Sequence, residues 1–352
     1  MRLHINTVRE MKVGNKLRVV LFFLLLPTSI CTGQYRALPN YEPIRTYSGQ
    51  KIWDIVTTPE EYIDIGLWAL IVAKEYDHTI EINQYLEHLD LMSAEIKRML
   101  AGRQSDLETF LAVRMFQFDA GVWNENWAFE YDLDDPFGKT LENKLLSTYM
   151  DTRLGNCVSM PTLFLALMER IDPNIPFCGV NAPQHLFCRL NNRQTGEIWN
   201  VEATNGGNPA RDQWYIETME INRTAIGSGL YLSNLTKKEY VAELIGVLVS
   251  KYRNQMEYKK ALEYADLILK VNLKSGVGLV QKGALSSWIA YELMETAKSE
   301  NRELSENERQ EVNKYNMESK KYIELVREMG WEPESSQSKQ NYLKTIEDER
   351  NK

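Results

Sequence analysis

The chain has no concentrated basic patch, few histidines and few cysteines, and each shortage excludes something. Lys and Arg number 41 against 49 Asp and Glu, a formal net charge of −8. The broad positive face that a nucleic-acid partner requires is therefore missing. The apolar run from Val19 to Leu26 falls short of the roughly 20 residues that span a bilayer. Asp132, Asp134 and Asp135 cluster before Pro136, but no glycine-centred loop or following glutamate completes a calcium-binding pattern there. A solvated turn is expected instead, and neither a metal nor a cofactor is expected anywhere in the chain.

What is present is ordinary for a globular protein: 352 residues, 43% hydrophobic and 26% charged. That length suggests two structural units. Lys12, Lys16 and Arg18 precede the apolar run, and small and polar residues follow it. This is the order of a secretory signal peptide, expected over residues 1–33 with cleavage after Gly33. An uncleaved N-terminal anchor is the alternative. Export to the periplasm or extracellular space is expected, with no membrane span after processing. Cys157, Cys178 and Cys188 would then remain, an odd count that leaves at least one thiol over. Cys178 and Cys188 flank a hairpin turn at "VNAPQ" and could pair across two strands, or could be two buried thiols in a sheet.

After an irregular lead-in over residues 34–56, "TTPEE" announces a helix with Thr58 as its cap, Pro59 in the first turn and Glu61 completing a capping box. A second helix ends at Gly102, and a third runs from about Asp106 to Phe118. Residues 119–140 read as a loop. "LENKLLSTYMDTRLG" reads as helical until Gly155, and a strongly apolar helix begins at or just after Cys157, its start fixed by Pro161. Short β-like runs follow at "FCGV", "HLFCRL" and "IWNVEA". The order is α+β. From residue 235 to 332 the strands stop. Leu248, Tyr252, Tyr258, Ala261 and Gly283 fall on positions of a tetratricopeptide-like repeat, whose period is about 34 residues. Residues 333–352 form a polar tail.

Thiol chemistry needs a thiolate, a base and a group that orients the base. A free cysteine has a pKa near 8.5, which a helix N-terminus and a neighbouring histidine lower. Cys157 opens the most apolar helix of the chain, where unpaired N–H groups favour a negative sulfur and can form half of an oxyanion hole. His78 and His88 lie among charged helical residues, which suits a solvated surface role. His185 begins a strand and is the candidate base. Glu202, flanked by Val201 and Ala203, is costly to bury without a partner and is the candidate orienting group, with Asn200 the alternative.

Helix-cysteine, strand-histidine and strand-acid occur in that order. The stretches "LDLMSAEIKRML", "LGNCVSMPTLFLALMERI", "FCGVNAPQHLFCRL" and "WNVEATNGG" resemble the transglutaminase-like superfamily, and more closely its SirB-type branch. The resemblance implies a papain/transglutaminase-like core over residues 57–234, helices plus antiparallel sheet, followed by the tetratricopeptide-like helices. It implies Cys157 as nucleophile, His185 as base and Glu202 as orienting acid, where the family more usually has aspartate. The activity it implies is acyl transfer from amides through a thioester. Hydrolysis of a peptide or protein substrate is expected, since nothing marks an amine site. Two other readings stay open: an inactive transglutaminase-like scaffold that holds a protein partner through its helical repeats, and a core cysteine with no chemistry.

Overall fold

The computed structural model describes residues 46–336 and residues 340, 343, 344 and 347. The expected signal peptide, the lead-in as far as residue 45 and most of the polar tail lie outside the described residues.

The first helix does not start at the expected cap. Ile52–Val56 and Glu60–Tyr62 form short 3-10 turns, and the Thr58 hydroxyl donates to the Asp54 carbonyl at 2.8 Å. Helix α1 (Ile65–Tyr76) begins after Asp64, whose carboxylate accepts from the Leu67 N–H at 2.6 Å. Pro59 is extended, with ψ 150, and Ile63 leaves the helical region at ψ 121, so the chain breaks there before Asp64 restarts it. Helices α2 (Ile82–Leu100) and α3 (Asp106–Phe118) follow, the latter opened by a capping box between Ser105 and Glu108.

Residues 119–140, expected as a loop, contain the strand β1 (Glu130–Tyr131). Helix α4 (Leu146–Thr152) stops short of the expected Gly155, because Arg153 turns left-handed at φ 58. Its guanidinium donates to the carbonyls of Asn124 and Trp127. That turn frees strand β2 (Leu154–Gly155) to pair in parallel with β1. A Cβ at Gly155 would lie 2.5 Å from the Tyr149 ring, so only glycine fits there.

Helix α5 (Ser159–Ile171) is buried almost throughout. Strands β3 (Phe177–Ala182), β4 (His185–Asn191), β5 (Ile198–Glu202) and β6 (Asn208–Ala210) form an antiparallel sheet in sequence order. Helices α6 (Asp212–Thr218) and α7 (Arg223–Ser228) precede the helical region α8 (Lys237–Asn254), α9 (Tyr258–Val271), α10 (Gly276–Ser299) and α11 (Glu306–Glu328). The architecture is α+β, as expected. One sheet face packs on α5, with the Phe164 and Phe177 rings 5.2 Å apart, and on Tyr240 of α8, which lies against Gly179. The other face buries Val180, Ala182 and Phe187 with Tyr215, Ala225, Leu269, Leu279 and Val326. Helices α6, α7, α9, α10 and α11 therefore share one core with the sheet.

Register settles the two sheet cysteines. Cys178 pairs with Arg189, and Cys188 pairs with Gly179. The two are one residue out of step, so their side chains leave opposite faces of the sheet and cannot join. Cys157, Cys178 and Cys188 are all free thiols.

Candidate active site

Cys157 lies at the junction of β2 and α5. Asn156, immediately before it, shapes that junction. Its Oδ1 accepts from the Val158 and Ser159 N–H groups at 3.0 and 3.3 Å, and its Nδ2 donates to the Asn143 carbonyl at 3.0 Å. Two of the N–H groups that a helix start offers are thereby taken. The Cys157 N–H itself has no hydrogen-bond partner among the described residues.

The sheet brings His185 to this point. A two-residue turn, Pro183-Gln184, joins β3 to β4, with Gln184 left-handed at φ 53. The Gln184 carbonyl oxygen lies 3.7 Å from Cys157 Sγ, and the His185 imidazole is near enough to lower the thiol pKa. His185 Nε2 lies 2.7 Å from Glu202 Oε2. That contact occupies Nε2 and leaves Nδ1 as the ring nitrogen for the thiol. His185 and Glu202 sit diagonally on one sheet face, their side chains exposed 13% and 7%.

Glu202 is held at both oxygens. Thr204 donates to Oε1 through its N–H at 3.2 Å and its hydroxyl at 2.7 Å, while the Tyr215 hydroxyl donates to Oε2 at 2.9 Å. Asn200, the alternative orienting group, is engaged elsewhere: it accepts from Arg189 Nε at 2.7 Å and donates to Asp212 at 2.7 Å. Tyr215, Thr204 and the Gln184 carbonyl carried no sequence signal. Tyr215 comes from a helix beyond the last expected strand and Gln184 acts through its backbone. His78 is exposed, and His88 lies in α2 edge-on to Tyr85 at 6.3 Å.

The electrostatics polarise the group. Burial pushes the Cys157 thiol up, but the His185 hydrogen bond and charge, joined by the Lys144 charge, reverse this and hold it below its ordinary value. Burial works against a charged imidazole, yet the Glu202 carboxylate and the hydrogen bonds to Cys157 and Glu202 raise His185 to about 10. Burial likewise opposes Glu202 ionisation, and the His185 charge and its hydrogen bonds overcome it. Cys178 shows the contrast: burial, offset only in part by the Arg189 charge, pushes it up to about 11. The arrangement shifts both groups toward the thiolate and the imidazolium.

Residues 83–242 match the model of the transglutaminase-like superfamily. The matched stretch contains Cys157, His185 and Glu202 and ends inside α8. No curated protein and no solved structure matches the chain. Among the described residues no cluster of His, Cys, Asp and Glu could hold a metal ion, and no helix is long and apolar enough to cross a membrane. Asp132 and Asp135 instead accept from backbone N–H groups of the turn and from Asn143.

Proposed function

We propose that this chain is an exported thiol-dependent acyl-transfer enzyme of the SirB-type branch that hydrolyses amide or peptide bonds. The observation that carries the reading is the 2.7 Å hydrogen bond between His185 and Glu202, beside a turn whose Gln184 carbonyl lies 3.7 Å from Cys157 Sγ. The Cys157 thiolate attacks the substrate carbonyl carbon, and the negative charge passes to the carbonyl oxygen. The Cys157 N–H is placed to receive that oxyanion. His185 gives the Nδ1 proton to the leaving nitrogen, the C–N bond breaks, and a thioester remains. Water then loses a proton to His185 as it attacks the thioester. The C–S bond breaks, an acid leaves, and the thiolate returns. Glu202 keeps the ring oriented throughout and stabilises it whenever it carries the proton.

Export rests on the charged, apolar and small-residue order of residues 1–33, and a peptide or protein substrate on the amide chemistry. The experiment is acylation by p-nitrophenyl acetate, read by peptide mass spectrometry at each cysteine. Cys157 should acylate and turn over, while His185→Ala and Glu202→Gln slow it about a hundredfold or more. Equal labelling of Cys157 and Cys178, unchanged by either substitution, would sink the reading.

A second reading, a scaffold that binds a protein through tetratricopeptide-like helices, has one observation in its favour. Trp288, Tyr291 and Met294 form an exposed apolar stripe on α10. Replacing Trp288 and Tyr291 by serine should abolish partner recovery if that reading holds, and leave acylation of Cys157 untouched.

A further inference from the structure

We propose that Tyr215 is a positioning residue whose hydroxyl clamps the Glu202 carboxylate so that Oε2 stays on His185. This rests on the thiolate reading above and says how that state is kept.

Glutamate swings on three side-chain bonds, so one contact with a histidine leaves its carboxylate free to rotate away. Here each oxygen has its own restraint: Thr204 on Oε1, and Tyr215 on the same Oε2 that faces His185 Nε2. Tyr215 is itself fixed without help from Glu202. Its ring is fully buried, stacked on Phe187 at 4.0 Å and 11°, with Trp214 edge-on at 4.9 Å. Helix α6 is pinned three residues earlier, where Asp212 accepts from Arg189 Nη2 and Asn200 Nδ2, each at 2.7 Å. The phenol therefore arrives at Glu202 from a rigid base, set by strands β4 and β5 through α6. Burial, then the Glu202 charge, push Tyr215 well above its ordinary value, so it remains a hydrogen-bond donor wherever Cys157 titrates.

A donor to an ionised carboxylate stabilises the ionised form. Tyr215 thus sustains the charge on Glu202, Glu202 sustains the charge on His185, and His185 sustains the thiolate. The charged and titratable groups facing this chain are few. Cys157 faces His185, Lys144, Tyr240 and Glu202, whose own charge opposes the thiolate weakly; Glu202 faces His185, Tyr215 and Cys188; Tyr215 also faces Cys188 and Arg189.

The test is Tyr215→Phe, which keeps the ring and its stacking and removes only the donor. The rate of Cys157 alkylation by iodoacetamide is followed against pH by peptide mass spectrometry, with Cys178 as internal control. The midpoint for Cys157 should rise by about half a unit, a roughly threefold loss of rate at pH 6, while Cys178 is unmoved. An unmoved Tyr215→Phe midpoint, beside one that rises in Glu202→Gln, would reduce Tyr215 to packing and overturn the proposal alone. A wild-type Cys157 that titrates as an ordinary thiol would overturn the thiolate reading, and the proposal with it. Should Tyr215→Phe not fold, Asp212→Asn loosens the anchor of α6 and so the phenol's hold on Glu202, while the Tyr215 side chain is retained. A raised midpoint then supports the clamp, and an unmoved one counts against it.

Discussion

At the residue scale, Glu202 and Lys144 show how the surroundings choose a side chain's role. A glutamate reaches one methylene further than aspartate, and Thr204 and Tyr215 absorb that extra freedom. Lys144 lends its charge to Cys157 across the Asn156 junction, after burial and His185 have set the larger effects. Lys144→Met should raise the alkylation midpoint of Cys157, with a two- to threefold loss of rate at pH 6 that shrinks in high salt. Turnover itself should be bell-shaped in pH. Its acid limb falls below the usual thiol range, where Cys157 loses its proton, and its alkaline limb lies near about 10, where His185 deprotonates. Glu202, depressed in the fold, contributes stability that is present above the ordinary carboxylate range and lost as pH falls through its folded value.

At the scale of elements, a buried ion network and two close approaches hold the helices around the site. Arg170 on α5 reaches Asp90 of α2 at 3.0 Å and Asp64, the cap of α1, at 3.4 Å. Removing one partner strands a buried charge. Arg170→Met should therefore cost about 3–5 kcal/mol in chemical denaturation. Gly179 of β3 lets Tyr240 of α8 lie on the sheet; a Cβ there would fall 2.1 Å from the ring. Gly179→Ala should destabilise by about 1–3 kcal/mol through overpacking. Neither contact is legible in the sequence. Arg170 reads as a helix-end charge and Gly179 as a strand interruption, until the elements that meet them are in place.

At the scale of the molecule, the helical region is part of the structural core. Lys237 pairs with Glu169 at 2.7 Å, and Leu269, Leu279 and Val326 pack in the cluster that holds Val180 and Phe187. A chain ending at residue 234 should therefore fail to fold, as checked by circular dichroism and limited proteolysis. Glu243 on α8 joins this core to α10 through Ser275, whose hydroxyl donates to it at 2.7 Å. Burial raises Glu243 to about 7, despite that hydrogen bond. A raised carboxyl favours the protonated fold, so the Glu243 contribution to stability is greatest in acid and declines as pH rises from about 4.5 through about 7. Glu243→Gln should remove that decline, gaining up to about 3 kcal/mol at pH 8 relative to the parent.

The sequence by itself determined the α+β order, the ends of α2 and α3, and the three strands on which the site depends. Periodicity and capping act within a few residues, so they are written in local sequence. It also ranked Cys157, His185 and Glu202 above their rivals, because histidine is scarce and a glutamate between apolar neighbours needs a partner. The tertiary structure decided what depends on distant pairs. Strand register put Cys178 and Cys188 on opposite faces. A left-handed Arg153, tied to distant carbonyls, ended α4 early, and Asp64 displaced Thr58 as the first cap. Tyr215 reached Glu202 because Arg189 and Asn200 anchor α6 beside the sheet and Phe187 stacks on the ring. Side chains from separate elements meet through packing, and no spacing along the chain records where they meet.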